Sequence, residues 1–210
     1  MNTMRMVAAL TVRVLAVSLG LLLSGAAFAQ ASSTQAVNWF GGPVYDGEPA
    51  LEVTAALVEA GGGAEDFNFA TALVSMLGEQ TVNAEVAKLN EQYGEQAVNG
   101  FIDGMTFAVK DGLMRATEAG VSLPAPPADL KGVKLAETLV SAGTAPDGTW
   151  WSGYLFDKAL SHAIHNQVMA DIEAKFGRDA DENTHRILNQ AMYDVAQALG
   201  HEDVKLAPLH

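Results

Sequence analysis

Apolar residues recur every three or four positions along most of this chain, and no stretch alternates apolar with polar residues as a half-buried strand would. The pattern predicts an all-α protein in which glycine and proline mark the helix ends. One helix runs from Leu51 to Ala60, bracketed by Pro49 and Gly61-Gly62-Gly63, which fits the preference for proline before a helix and glycine after it. A second spans Asp66 to Tyr93, where Phe69, Leu73, Leu77, Val82, Val86, Leu89 and Tyr93 form a drifting stripe with a bend expected at Gly78. A third runs from Glu95 to about Glu118. Residues 121–127 then carry three prolines and are expected to be extended, because proline restricts both its own backbone and that of the residue before it.

The second half repeats this order. Leu57-Val58-Glu59-Ala60-Gly61 matches Leu139-Val140-Ser141-Ala142-Gly143 at an offset of 82, which also places Phe69 on Trp151, Leu73 on Leu155 and Val86 on Val168. Tyr93-Gly94 falls on Phe176-Gly177 at 83, and Phe107, Val109 and Leu113 fall on Tyr193, Val195 and Leu199 at 86. Recurrence in one order at nearly constant spacing indicates an internal duplication. The expected organisation is two tandem three-helix units packed as one helical domain, with repeat 1 over residues 46–127 and repeat 2 over 128–210. A groove between them is the natural place for a ligand.

The N-terminal stretch breaks the amphipathic pattern. Arg5 and Arg13 precede the apolar run Val14 to Leu23, and Ala27-Phe28-Ala29 closes it with a small-x-small cleavage motif. Residues 1–29 are therefore expected to be a signal peptide, followed by an N-terminal extension over 30–45. Roughly 20 apolar residues are needed to span a bilayer, so no stable membrane insertion is expected after cleavage. The expected destination is the bacterial periplasm.

Charge and composition narrow the partners. The chain carries a net charge of -13, and losing Arg5 and Arg13 with the leader takes it to -15. Nucleic acid is not an expected partner, since phosphate contacts need clustered lysine and arginine. With no cysteine, disulfides, thiolate metal sites and a cysteine nucleophile are ruled out. Gly100, Gly104, Ala108, Gly112 and Ala116 stand at every fourth position of the third helix, a ridge without side chains that costs roughly 1 kcal/mol per glycine. Tight packing between the two repeats would offset that cost.

All five histidines lie in the second half. His162 and His165 share a helical face with Asn166 and Met169, and Met192 lies on the following helix. Imidazole and thioether are ligands for copper or haem iron, so His162 and His165 are the candidate metal ligands, with His185 a weaker third. If Trp151 to Phe176 and Asp181 to Leu199 formed an antiparallel hairpin centred near residue 178, His165 and His185 would be about 10 Å apart along the axis, too far for one ion. Trp150 and Trp151 complete the ligand-binding set as possible stacking surfaces.

Other motifs are weaker. Glu182-x-x-His185 resembles half of a di-iron pair but occurs once, and Asp179 with Glu182 fits a capping box. Asp179-x-Asp181-x-Asn183 lacks the glycine and glutamate of a calcium loop. The sequence thus points to an exported helical binding protein for a metal ion, haem or small apolar molecule. An accessory protein that binds another exported protein through its acidic surface is the alternative, and a hydrolase-like or redox enzyme with histidine acid-base chemistry the third.

Overall fold

The computed structural model describes residues 42–208. The expected leader, most of the extension and His210 lie outside the described residues. Within them are eight helices: α1 Leu51–Ala60, α2 Phe69–Leu77, α3 Glu79–Tyr93, α4 Glu95–Glu118, α5 Val133–Gly143, α6 Ser152–Ala159, α7 His162–Phe176 and α8 Arg178–Ala198. The all-α expectation holds at this level. Four helices fall in each half, one more than the three expected. The predicted helix over Asp66 to Tyr93 is cut in two at Gly78, which takes φ 81° and ψ 150°, a conformation open to glycine and closed to a continuing helix. Trp151 to Phe176 is likewise cut, at Leu160-Ser161.

Two short strands also interrupt the helical pattern. Thr149–Trp150 (β1) pairs in parallel with Lys205–Leu206 (β2), an element too short to be legible as alternation. It ties the chain after α8 back to the turn that follows α5. The expected capping box does not form. α8 starts one residue after Gly177, so Asp179 is already helical, and Glu182 instead accepts from Arg178 Nε at 2.8 Å.

The core is built mainly from α4 and α8, which pack on each other, with α7 against both and α2, α5 and α6 closing the other side. Its fully buried members include Phe67, Val98, Leu135, Val168, Ile172 and Ile187. The glycine ridge works as packing surface. A methyl group added to Gly104 would stand 2.9 Å from Thr184 Oγ1, and one on Gly112 would stand 2.6 Å from Leu160 Cδ1 and 3.6 Å from Val168. Small residues on α4 thus let the second half approach its backbone closely. Polar ties join the halves too: Arg115 on α4 pairs with Asp171 on α7, and Lys88 on α3 with Asp194 on α8.

No helix among the described residues is long and apolar enough to cross a membrane.

Candidate functional site

The site begins with a break in the chain. After α6 ends at Ala159, Ser161 adopts φ 127° and ψ 156°, the one positive φ outside glycine among the described residues. That region is nearly glycine-only, and holding a serine there costs on the order of 1–3 kcal/mol. Its hydroxyl accepts from Ile164 N at 3.4 Å and caps α7. The sharp turn brings the first turn of α7 against the last turn of α6, and so brings two histidines onto Asp157.

Asp157 is buried, and its Oδ1 lies 2.7 Å from His165 Nδ1 and 2.9 Å from His162 Nδ1. A carboxylate only accepts, so both imidazoles carry their proton on Nδ1 and donate it. Oδ2 accepts from Tyr45 N at 3.3 Å. Burial alone would raise the Asp157 pKa, but the bonds from His165 and His162 outweigh it and hold the carboxyl below its ordinary value. For His165 burial dominates: despite the bond to Asp157 its pKa is lowered, which keeps the ring neutral.

His162 Nε2 accepts from Asn166 Nδ2 at 3.2 Å, whereas His165 Nε2 is buried without a hydrogen-bond partner. One face of the His165 ring stacks on Phe156, with centroids 5.3 Å apart and planes 11° from parallel. The His185 ring is 6.1 Å away, and its Nδ1 donates to the Asp181 carbonyl at 3.1 Å. This corrects the 10 Å separation expected between His165 and His185. The connection is the single residue Gly177, so the two histidines are out of step by four residues, about 6 Å of helix rise.

Beside this cluster is an apolar cavity of about 60 Å³. Leu57, Phe69 and Met105 line it from the first half, and Leu139, Leu188 and Met192 from the second; Phe156 forms the wall toward His165. Its two polar neighbours are engaged elsewhere. Thr54 donates its hydroxyl to the Ala159 carbonyl at 2.6 Å, and the Lys158 ammonium sits 4.5 Å from the centre of the Tyr154 ring and 5.0 Å from that of Tyr45.

The structure divides the residues singled out in the sequence. His162 and His165 come together with each other. Met192 lines the cavity, but His162, His165, Met169, Trp150 and Trp151 do not. Met169 is core. Trp150 is wholly buried, with Nε1 donating to the Leu139 carbonyl at 3.3 Å, and Trp151 belongs to a satellite cluster with Ala145, Tyr154 and Ala207. The residue that sequence reasoning missed is Asp157. Its spacing from the histidines places it with them only once the helix is broken at Ser161, and neither glycine nor proline announces that break. No family model, no curated protein and no solved structure matches the chain.

Proposed function

We propose that this chain is an exported, periplasmic helical binding protein that holds a small, neutral, apolar molecule at the seam between its two halves. The observation that carries the proposal is the cavity itself, whose walls come from both halves and whose polar neighbours already have partners. Roughly 10–15 Å³ holds one water, so the space is several waters large, yet nothing on its wall would hydrogen-bond them. A hydrocarbon or similar molecule satisfies such a wall better than water does. Haem suits it poorly, because no histidine lines the space and a porphyrin is far larger. Three methionines, Met76, Met105 and Met192, supply flexible side chains that can adjust to an occupant.

Duplication remains the proposed origin of the two halves. Gly78 before α3 and Ser161 before α7 share one unusual backbone conformation, as do Gly94 before α4 and Gly177 before α8, each pair 83 positions apart.

Solvent extraction of protein purified from its native compartment, followed by mass spectrometry, tests the proposal. A stoichiometric neutral apolar compound is expected; a charged ligand or a clean extract from folded material contradicts it.

A further inference from the structure

We infer that Asp157, His162 and His165 form a binding site for a divalent late first-row transition ion, separate from the apolar cavity. One oxygen and two ring nitrogens converge from two helices, all within 4.8 Å of one another. Two imidazoles and one carboxylate are a donor set suited to zinc or copper, and the net charge of the three groups is one negative. In a tetrahedral site with bonds near 2.0–2.1 Å, ligand atoms stand about 3.3 Å apart. Oδ1 is now 2.7 Å from one Nδ1 and 2.9 Å from the other, so these two separations widen by roughly half an ångström to admit an ion, while the two nitrogens already lie within 4.8 Å of each other.

No net proton is released: each imidazole changes tautomer, losing its Nδ1 proton to water and taking one from water on Nε2, which leaves the Nδ1 lone pair for the ion. Asn166 can turn its amide so that the oxygen receives the proton of His162 Nε2. His165 Nε2 has no partner in either state, so the exchange leaves no additional group unsatisfied. Entry is open on one side, since the His162 side chain is 25% exposed whereas that of Asp157 is 3% exposed. Oδ2 of Asp157, held by Tyr45 N, fixes the carboxylate while Oδ1 ligates. The strained backbone of Ser161 is what sets both histidines over this oxygen.

Titration calorimetry of the purified protein with Zn²⁺ and with Cu²⁺ decides the matter, run beside His162→Gln, Asp157→Asn and Met192→Leu. The expected result is one ion per chain for at least one of the two metals. His162→Gln and Asp157→Asn should weaken it by at least the roughly 10–100-fold that loss of even an outer partner costs, and Met192→Leu should leave it unchanged. If Asp157→Asn fails to fold, His162→Gln decides alone, because that side chain is partly exposed whereas Asp157 is buried. Neither metal binding, or binding that His162→Gln leaves intact, overturns the inference.

Discussion

Phe156 stands between the imidazole of His165 and the apolar cavity: its ring stacks on the histidine at 5.3 Å and also forms part of the cavity wall. One side chain therefore keeps water from both places. Phe156→Ala should cost about 3–5 kcal/mol, as truncation of a buried phenylalanine does. By admitting water it should also move the His165 pKa up toward its ordinary value, since burial is what lowers it. Histidine titration followed by NMR checks this; a His165 that titrates unchanged in the variant would show that Phe156 does not shield it.

Ser161 offers a test of backbone strain. Ser161→Gly removes a side chain from a conformation that glycine adopts freely, a relief of about 1–3 kcal/mol. Against it stand a lost cap, a few tenths of a kcal/mol for serine to glycine, and a more flexible unfolded chain, costing about 0.4–1 kcal/mol. Urea denaturation should find the variant more stable by about 1 kcal/mol. A clear loss of stability would mean that the serine is comfortable where it is.

Gly143 ends α5 directly against the wholly buried Trp150, and a methyl group there would overlap the indole ring. The ring is fixed by its bond to the Leu139 carbonyl and by the core around it, so it has little room to retreat. Gly143→Ala should destabilise by about 1–3 kcal/mol, read as a lower denaturation midpoint with an unchanged slope. Gly100→Ala, with open space around the added methyl group, should instead be neutral or stabilising.

Stability should depend on pH through two groups of opposite sign. His165 has a lowered pKa in the fold, so the unfolded chain binds the proton first as pH falls; the contribution is complete above about 6.5 and is lost below it. Glu85 is pushed up to about 7 by burial and by Asp194, with Lys88 opposing. There the folded state holds a proton that the unfolded chain releases, so the contribution is present below 4.5 and is lost as pH rises through about 7. Melting temperatures should show Glu85→Gln gaining on the wild type at pH 8 relative to pH 5, and His165→Gln flattening the decline below about pH 6.5. Opposite slopes would refute both assignments.

Much of the helical architecture was written in the glycine and proline spacing: α1, α4 and the connector that follows it begin and end close to where the sequence places them. The bend expected at Gly78 is a full break, and nothing in the sequence marks the one at Ser161, because apolar periodicity runs on across both and only the backbone angles show how complete the interruption is. The same blindness hid Asp157. On one continuous helix it would sit apart from His162 and His165, and only a left-handed serine turns the two segments so that they meet. The tryptophans misled for another reason. Large aromatic rings fill a core as readily as they stack on a ligand, and nothing local distinguishes the two uses.

The central claim, a cavity at the seam that accepts a small neutral apolar molecule, is tested most directly by titrating the protein with xenon and following the methyl resonances of Met76, Met105 and Met192 by NMR. Ala142 is a half-buried part of the cavity wall on α5, and Ala142→Phe would fill the space with little disturbance of the core behind it. The account predicts saturable one-to-one binding by the wild type that disappears in Ala142→Phe. An absence of binding by the folded wild type, or equal binding by both proteins, would contradict it.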